Sequence, residues 1–364
     1  MVEASQSGPT SVACTDPFAP SGRSTGKTRA VRAAILHGPT DLRVEDTAAP
    51  VAEGDQVTAR VLANGLCGSD LSAWKVGRGQ PVILGHEIAA EVLTGEHAGR
   101  IAVISQTNCC RACPLCLEGL DHYCRSAAGL GAVRFGGVFG GLGELVTCPP
   151  DRVLLPPADV DPAVMTLAEP FAVAVRALDR PEVRAARHLV VLGCGPVGLM
   201  SIVAARLAGV ERIIAVESRP GRAQLAERLG ADLVLDPADD IPRALKQVSP
   251  VGVDVVVEAA GVLPTIETAW RIIRPGGTVI LQGLPKDPFP FDVQRWALKE
   301  ITVATSIGQS LEQHQSALDA IATRTDIPFD AFVTRRVPLD DTPQAFADLA
   351  AGADEIKIIV ETSR

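Results

Sequence analysis

The spacing of hydrophobic residues divides the chain into two regions with different patterns. Between residue 30 and about residue 150, short apolar segments alternate with breaks that contain Gly and Pro. The segments with a strand pattern lie at 32–36, 56–63, 91–93, 101–105 and 144–147. Short strands bounded by turn residues are typical of a compact β-barrel-like unit with long loops. We therefore predict a β-rich first region.

The second region alternates apolar strands with helical patterns. A helix-like stretch at 161–177 leads to the apolar run His188–Leu192, which is typical of a parallel strand buried on both faces. Further strands are predicted at 212–216, 233–235, 254–258, 278–282 and 301–305. This alternation predicts a doubly wound parallel sheet of about six strands. A helix at 311–322 and a strand at 356–360 are then expected to return to the first region.

Composition narrows the class of protein. The chain has 364 residues, of which 47% are hydrophobic and 21% are charged, as expected of a globular enzyme with two domains. Its net charge of −9 offers no basic field for nucleic acid. No run of about 18 apolar residues occurs, so no membrane span is expected. Residues 1–29 are rich in Ser, Thr, Gly and Pro and are predicted to be a disordered leader, not a secretory signal.

Cysteines are concentrated in one loop. Four of the nine are Cys110, Cys113, Cys116 and Cys124, separated by two, two and seven residues. Clustered cysteines in a long chain without a signal peptide indicate a metal site, and they favour a reducing compartment such as the cytoplasm. Four thiolates at this spacing can surround a tetrahedral Zn²⁺ and leave no position for a substrate, so a structural zinc is predicted. Cys109 offers a second register, but the two-residue spacing favours Cys110 as the ligand.

A second set of metal ligands is shared between two motifs. The motif G-L-C-G-S-D contains Cys67, and the motif G-H-E contains His86 nineteen residues later. A thiolate and an imidazole suit Zn²⁺, but two ligands are too few for a closed structural site. They fit a catalytic metal that keeps one coordination position open. The third protein ligand must come from elsewhere, and both Glu87 and Glu169 are candidates.

A glycine-rich turn follows the apolar run His188–Leu192 and precedes a helical pattern at 197–207. The residues of this turn that we expect to contact a dinucleotide are Gly193, Gly195, Pro196, Val197 and Gly198. The next strand leads to Glu217, nineteen residues after the last glycine, where an acid accepts hydrogen bonds from the adenosine ribose. The strand, turn, helix and acid together predict a dinucleotide site.

The three glycines have separate roles in such a turn. Gly193 allows the tight turn, Gly195 lets backbone N–H groups approach the pyrophosphate, and Gly198 lets the helix pack closely on the sheet. The N-terminus of the helix then favours the phosphate charge. A carboxylate at Glu217 would repel a 2′-phosphate, so NAD(H) is favoured over NADP(H). Arg222 and the nearby Arg219 could bind that phosphate instead, which leaves NADP(H) as the alternative.

These motifs, together with A-E-P at 168–170 and P-G-G at 275–277, resemble those of the zinc-dependent medium-chain alcohol dehydrogenases. The branch of polyol, sorbitol, threonine and cyclitol dehydrogenases is nearest. The resemblance implies an α/β chain with a GroES-like β-rich catalytic domain and a doubly wound Rossmann parallel sheet. We expect the catalytic domain at 30–170, with its zinc loop at 109–124, and the NAD-binding domain at 171–308. Residues 309–364 would return to the catalytic domain.

The resemblance also implies roles for single residues. Cys67 and His86 match the catalytic zinc ligands of the family. Glu87 and Glu169 match two carboxylates that ligate the metal directly or stand behind a water. Ser69 matches the hydroxyl that receives the substrate proton.

Three further positions near Cys67 are informative. Asp70 matches an acid that orients the ligating histidine and fixes its tautomer. Similar enzymes often carry a histidine five residues after the cysteine as the last member of a proton relay, whereas this chain has Ser72. A serine cannot store a proton near neutral pH, so proton release must use water or another group. Trp74 matches a position that lines the substrate cleft, or else it is a core aromatic.

The resulting hypothesis is a zinc-dependent oxidoreductase that transfers a hydride between NAD(H) and a secondary alcohol or ketone. It would hold two Zn²⁺ per chain, one catalytic and one structural. The expected substrate is a polyol, a cyclitol or an amino-cyclitol. Sorbitol specificity itself is not expected to transfer, because the family's arginine–aromatic pair after the sixth strand is replaced by Ser-Ile-Gly-Gln at 306–309.

Several alternatives remain at this point. Threonine and butanediol-type dehydrogenases share the fold, and so do zinc-free quinone-type reductases, against which the cysteine and histidine motifs argue. A non-catalytic scaffold that kept its metal sites is a third class. The resemblance also implies a homodimer or homotetramer, with no nucleic acid or membrane partner.

Overall fold

A computed structural model describes residues 30–77, 81–126, 128–130, 139–285, 288 and 292–362 of the chain. The predicted leader at 1–29 lies outside the described residues. Within these ranges, the secondary structure follows the two regions that the hydrophobic pattern predicts.

Most strands belong to two large sheets. In chain order they are β1 (Ala30–Gly38), β2 (Asp41–Ala48), β3 (Val57–Gly65), β4 (Val82–Ile83), β5 (Glu87–Val92), β6 (Ile101–Ile104), β7 (Thr107–Asn108), β8 (Ala128–Gly129), β9 (Leu145–Cys148), β10 (Val153–Leu154), β11 (His188–Leu192), β12 (Arg212–Val216), β13 (Leu233–Leu235), β14 (Val253–Glu258), β15 (Ile273–Leu281), β16 (Thr302–Thr305), β17 (Val333–Pro338) and β18 (Lys357–Glu361).

The described helices are between four and thirteen residues long. They are α1 (Gly68–Val76), α2 (Pro114–Leu117), α3 (Pro162–Met165), α4 (Ala168–Leu178), α5 (Pro181–Arg184), α6 (Pro196–Leu207), α7 (Pro220–Arg228), α8 (Ile241–Lys246), α9 (Leu263–Ile272), α10 (Val293–Ala297), α11 (Leu311–Thr323) and α12 (Thr342–Ala350). None of the helices in the described ranges is long and apolar enough to cross a membrane.

The β-rich region is built from antiparallel pairing. Strands β2, β1 and β4 form a small sheet, and β10, β6, β5, β3, β18 and β17 form a larger one, to which β9 adds by pairing with β3. Only the pair of β17 and β18 is parallel in this larger sheet. The chain returns to it after the second region, because β18 lies between β3 and β17. This agrees with the predicted return at 356–360.

The second region contains a six-stranded, fully parallel sheet in the order β13-β12-β11-β14-β15-β16. This is the strand order of a dinucleotide-binding fold, in which the order reverses between the first and fourth strands, here β11 and β14. Residues 188–192, 212–216 and 233–235 are strands over the predicted ranges. The predicted fold class, a GroES-like β-rich domain with a doubly wound parallel sheet, is confirmed.

Several strands have no counterpart in the sequence prediction. The strand β2 carries mostly polar residues, and the strand β17 contains two adjacent arginines. Each is partly exposed, so neither shows an apolar run.

The predicted strand at 91–93 lies mostly within a longer strand, β5, which begins at Glu87. The predicted helix at 161–177 is two helices, α3 and α4, and α4 continues across the predicted domain boundary at residue 170. The domain boundaries remain a prediction.

Two buried clusters cover the parallel sheet on its two faces. One joins α4, α6 and α11 to the inner strands and includes the fully buried residues Phe171, Leu189 and Leu318. The other packs the opposite face of β11 and β14 under α8 and α9. Because α4 and α11 also contact the first region, the first cluster continues to Ala63 and Val103 in the large antiparallel sheet. The two regions therefore share a continuous apolar core.

Candidate active site

Cys67, His86 and Glu87 meet where two antiparallel strands end. The strand β3 ends at Gly65, which pairs in register with Glu87 at the start of β5. Cys67 follows β3 at the start of α1, and His86 immediately precedes β5. One ligand atom from each of Cys67, His86 and Glu87 lies within 4.8 Å of the others. A thiolate, an imidazole and a carboxylate at this separation fit the donor set of a catalytic zinc.

Asp70 connects these groups from the first turn of α1. Its Oδ2 accepts a hydrogen bond from the backbone N–H of Cys67 at 3.1 Å, and its Oδ1 lies 3.3 Å from Nδ1 of His86. The second contact is within ion-pair distance but outside hydrogen-bond geometry. Burial opposes protonation of His86, but the charges of Asp70 and Cys67 outweigh it and raise the pKa of the imidazole well above its usual value. The carboxylate of Asp70 is thus placed to fix the orientation of the His86 ring.

Glu87 forms a buried ion pair that sequence reasoning missed. Both oxygens of Glu87 accept hydrogen bonds from Nζ of Lys357, at 2.7 and 2.8 Å, and the two side chains are 0% and 2% exposed. Burial disfavours the charged lysine, but Glu87 and Cys67 outweigh it and raise the pKa of Lys357. The one signal in the sequence is a lysine at the start of the apolar strand β18. Both oxygens of Glu87 are therefore already bonded to Lys357 in this structure.

Glu169 lies close to this group but is held differently. It is 5% exposed in α4, and its Oε1 accepts hydrogen bonds from Nε2 of Gln106 at 2.7 Å and of Gln309 at 3.1 Å. Burial raises the pKa of Glu169 to about 7, against the opposing charge of His86. The ligand group of Cys67, His86 and Glu87 does not include Glu169. Neither glutamine was singled out from the sequence, because neither belongs to a spacing motif.

Gln309 joins this site to the parallel sheet. It follows the strand β16, which ends at Thr305, and therefore lies at the carboxyl edge of the sheet. In parallel α/β sheets this edge forms the ligand-binding crevice. The oxygen Oε1 of Gln309 is buried and has no hydrogen-bond partner among the described residues. The hydrogen bond of Gln309 to Glu169 thus links the surroundings of the metal-ligand group to the carboxyl edge of the sheet.

The other residues predicted around Cys67 have distinct environments. Ser69 is exposed at the start of α1. The hydroxyl of Ser72 donates to the backbone oxygen of Gly68 at 3.0 Å, so its proton is used in a hydrogen bond within the helix. Trp74 is 9% exposed and packs against Phe346 in the core of the first region, with ring centroids 6.0 Å apart. The core interpretation of Trp74 therefore holds.

Four cysteine sulfurs form a second group of ligands. The Sγ–Sγ distances are 3.5 Å between Cys113 and Cys116, 3.5 Å between Cys124 and Cys110, and 3.9 Å between Cys110 and Cys116. A tetrahedral zinc with Zn–S bonds of about 2.3 Å separates its sulfurs by about 3.8 Å, so the group fits the ion. Backbone N–H groups of Ala112 and Cys113 lower the pKa of the Cys110 thiol to about 6. A thiolate at this position is ready to bind metal.

Cys109 is separated from the four-sulfur group by a different contact. Its Sγ accepts a hydrogen bond from the guanidinium of Arg152 at 2.9 Å, and both side chains are buried. The same guanidinium donates to Asp121 at 3.3 Å. The four-sulfur group contains Cys110 and not Cys109, which is the register that the spacing favours.

The glycine-rich turn has the geometry of a phosphate-binding turn. Gly193 has a φ of +91°, which favours glycine. A Cβ at Gly198 would lie 1.9 Å from the backbone oxygen of Gly193, so the close packing of α6 requires a glycine there. Nothing lies within 4 Å of a Cβ built at Gly195, which leaves open space over the N-terminus of α6. Pro196 and Val197 form the first turn of α6. These features fit a pyrophosphate.

Glu217 follows β12 at the carboxyl edge of the sheet. Its carboxylate accepts backbone hydrogen bonds from Cys194 at 2.8 Å and from Ser218 and Arg219, both at 2.9 Å. These bonds fix the carboxylate beside the glycine-rich turn. The guanidinium groups of Arg219 and Arg222 contact residues 353–355.

Comparison with known proteins agrees with this geometry. The chain matches the model of the alcohol dehydrogenase GroES-like domain over residues 53–158 and that of the zinc-binding dehydrogenases over residues 196–323. Sorbitol dehydrogenase of Bacillus subtilis is 30% identical over 75% of this chain and 81% of its own length. D-xylulose reductase A of Aspergillus oryzae is 27% identical over 87% of this chain and 93% of its own.

A solved structure gives the same result. A zinc-binding dehydrogenase from Sinorhizobium meliloti 1021, bound to NADP, is 28% identical, covers 92% of this chain and 100% of its own, and superposes with a TM-score of 0.84. The two chains therefore share their overall fold. This chain belongs to the family of zinc-dependent medium-chain alcohol dehydrogenases.

Proposed function

We propose that this protein is a zinc-dependent oxidoreductase that transfers a hydride between NAD(H) and a secondary alcohol or ketone, with a polyol, cyclitol or amino-cyclitol as the substrate. Zinc and a nicotinamide dinucleotide are the cofactors of its family. The observation that carries the proposal is the group of Cys67, His86 and Glu87 with their ligand atoms within 4.8 Å. Gln309 joins Glu169, beside this group, to the carboxyl edge of the dinucleotide-binding sheet.

Cys67 and His86 would hold the catalytic zinc, with Glu87 or Glu169 as the third ligand. Zinc supplies Lewis acidity, which stabilises the negative charge that develops on an alcohol oxygen or a ketone oxygen. Cys110, Cys113, Cys116 and Cys124 would hold a second zinc, whose role is structural because the four protein ligands leave no open position.

The residues around the site would orient the ligands and receive the proton. Asp70 orients the ring of His86 through Nδ1, so that Nε2 is free to bind metal. The hydroxyl of Ser69 is exposed at the start of α1, where its Oγ can take the proton of the substrate alcohol. Ser72 is bonded to Gly68, which favours release of that proton to water. Glu169 and Glu87 are buried, so water screens little of any charge that they carry.

The glycine-rich turn and Glu217 would bind the dinucleotide. Gly193, Gly195, Pro196, Val197 and Gly198 would surround the pyrophosphate, and Glu217 would accept hydrogen bonds from the adenosine ribose. The carboxylate of Glu217 would repel a 2′-phosphate, which supports NAD(H). Arg222 lies in the first turn of α7 near this end of the cofactor.

The relatives support the class of substrate. The similar proteins from Bacillus subtilis and Aspergillus oryzae are a sorbitol dehydrogenase and a D-xylulose reductase, which act on polyols and related ketoses. At the end of the sheet, this chain has the uncharged residues Ser306, Ile307, Gly308 and Gln309. We infer a cyclitol or amino-cyclitol because this segment differs from the arginine–aromatic pair of the sorbitol-type enzymes. The protein is expected to work in the cytoplasm as a homodimer or homotetramer.

The experiment that tests the proposal measures zinc content and NADH formation together. The purified protein should contain two zinc ions per chain by mass spectrometry of the metal, and it should reduce NAD with one member of a panel of polyols, cyclitols and amino-cyclitols. Cys67→Ser should remove one zinc and the activity. A protein with one zinc or none, or with activity only towards quinones, would contradict the proposal. Absence of activity on the whole panel would favour a scaffold.

A further inference from the structure

The guanidinium groups of Arg219 and Arg222 are held by a segment from the other region of the chain. Arg219 donates to Oδ1 of Asp354 at 3.0 Å and to the backbone oxygen of Ala353 at 3.4 Å. Arg222 donates to the backbone oxygen of Glu355 at 2.8 Å, and its Nε lies 3.6 Å from Oδ1 of Asp354. Both arginines therefore share one carboxylate.

The two arginines are placed where an NADP-binding protein would need them. The backbone N–H of Arg219 donates to Glu217, the acid expected at the adenosine ribose, and Arg222 lies in the first turn of α7. In dinucleotide-binding folds, an arginine near this acid accommodates the 2′-phosphate of NADP. The N-terminus of α7 adds further positive potential. Without Asp354, this position would attract an anion.

We propose that Asp354 sets the cofactor preference by engaging the guanidinium groups of Arg219 and Arg222, so that they do not bind a 2′-phosphate. Selectivity for NAD(H) then has two parts. Glu217 repels the 2′-phosphate of NADP(H), and Asp354 pairs with the two guanidinium groups that would otherwise bind this phosphate. Asp354 is a positioning residue, because it acts through the arginines and does not contact the cofactor. The inference rests on the proposed preference for NAD(H).

The segment 353–355 is well placed for this role. It connects α12 to β18, which belongs to the large antiparallel sheet, whereas the arginines belong to the parallel sheet region. The contact therefore joins the two regions next to the expected adenosine end of the cofactor. Asp354 is 55% exposed, so its replacement should leave the fold intact.

The test measures binding of NADH and NADPH by nicotinamide fluorescence at fixed ionic strength, without a substrate. The wild type should bind NADH more tightly. Asp354→Asn should lower the ratio of the Kd for NADPH to the Kd for NADH by about fivefold to tenfold, since Arg219 loses its carboxylate partner and can form charge-assisted bonds to phosphate. Most of the change should appear in the Kd for NADPH.

Two further variants make the result specific. Asp340→Asn removes an exposed carboxylate that pairs with Arg32 elsewhere, and it should leave the ratio of the two Kd values unchanged. Adding Arg219→Gln to Asp354→Asn should abolish the gain in NADPH binding. An unchanged ratio in Asp354→Asn, or an equal loss of affinity for both cofactors, would overturn the inference but not the proposed function. A wild type that prefers NADPH would instead overturn the proposed preference for NAD(H).

Discussion

Single residues at the candidate active site are held by pairing of buried charge. Glu87, Glu169, His86, Asp70 and Lys357 are all at least 90% buried. Charges in such surroundings persist only when partners compensate for the water they lose. Lys357 provides this compensation for Glu87, and the two glutamines provide it for Glu169. Loss of one partner should therefore cost more than loss of a surface contact.

Replacing Lys357 with methionine should destabilise the protein strongly. The substitution leaves Glu87 buried without its partner, and breaking a buried pair costs about 3–5 kcal/mol. Urea unfolding of the wild type and Lys357→Met should show a decrease of this size in the free energy of unfolding. The double variant Glu87→Gln/Lys357→Met should recover part of the loss, because no uncompensated charge remains. Equal stabilities of wild type and single variant would show that the pair is not needed.

Replacing Gln309 with leucine should impair catalysis while the fold persists. The variant removes one of two donors to Glu169, and a hydrogen bond to a charged group contributes about 1.5–3 kcal/mol. We expect kcat/KM for the preferred alcohol to fall by about tenfold or more, by the same principle. Gln344→Leu removes a surface glutamine bonded to Asp348 and serves as the control. If both variants lose activity equally, the contact with Glu169 is not responsible.

Sequence motifs identified the residues with fixed spacing and missed those without it. Cys67 and His86 lie in short motifs, and the pairing of β3 with β5 brings them together. Lys357 is 270 residues from Glu87 along the chain, and Gln309 is 140 residues from Glu169. Contacts over such separations depend on the arrangement of whole elements, for which no local pattern exists. The catalytic roles of these residues remain predictions.

At the scale of elements, the loop between β6 and β9 and the turn before α6 each perform one task. The first brings four sulfurs to tetrahedral spacing, and the second leaves open space above a helix N-terminus. Each task depends on a few backbone positions, so each can be tested by small substitutions.

Zinc binding by the four-cysteine loop should depend on Cys110 and not on Cys109. Cys110→Ala removes one of four ligands, so the zinc content should fall from two ions per chain to one, and the loop should become sensitive to proteolysis. Cys109→Ala is the matched control, because its sulfur is bonded to Arg152 and lies outside the four-sulfur group. It should retain both ions. Loss of zinc from Cys109→Ala with retention in Cys110→Ala would reverse the register.

Two substitutions in the glycine-rich turn should affect cofactor binding and stability differently. Alanine at Gly195 meets no atom within 4 Å, so the free energy of unfolding of Gly195→Ala should match the wild type, whereas its Kd for NADH should rise. Alanine at Gly198 would contact the oxygen of Gly193, so this variant should lose about 1–3 kcal/mol of stability as well. Thermal unfolding and fluorescence titration measure the two effects. Unchanged NADH binding in Gly195→Ala would place the pyrophosphate elsewhere.

Strands with an apolar run were predictable, and strands with mixed polarity were not. The strands β11 and β12 lie inside the parallel sheet, where helices cover both faces, and their apolar runs define their ends. The edge strand β13 is only partly buried, but its three residues are all apolar. The strand β2 alternates irregularly, because one of its faces is exposed. The strand β17 carries Arg335 and Arg336, which pair with acids on neighbouring elements. Such strands are specified by their partners, not by their own pattern.

At the scale of the whole molecule, a buried imidazole of the second region lies near a charged side chain of the first. His314 in α11 is fully buried, and neither ring nitrogen has a hydrogen-bond partner among the described residues. Burial lowers the pKa of His314 to about 3, and the positive charge of Arg152 from the first region acts in the same direction. The imidazole is therefore neutral in the folded protein at neutral pH.

His314 should make stability depend on pH. In the unfolded chain, His314 takes up a proton below pH 6.5. In the folded protein, it takes up that proton only near pH 3, because its pKa is lowered. Stability should thus fall as the pH decreases through this window, by about 1.4 kcal/mol per pH unit from this residue. Urea unfolding of wild type and His314→Leu at several pH values between 4 and 7 should show a shallower dependence in the variant. Parallel curves would show that His314 does not contribute.

The position of β18 has a consequence for how the active site is assembled. The strand lies between β3 and β17, although the entire parallel sheet separates it from β3 in the chain. During synthesis, β3 and β5 emerge early and present Glu87 without its lysine, while the dinucleotide-binding region can form as a local unit. The large antiparallel sheet can be completed only after β18, which carries Lys357, has been added between β3 and β17. The complete site, with Glu87 paired to Lys357, is therefore expected to form among the last events of folding, after the dinucleotide-binding region.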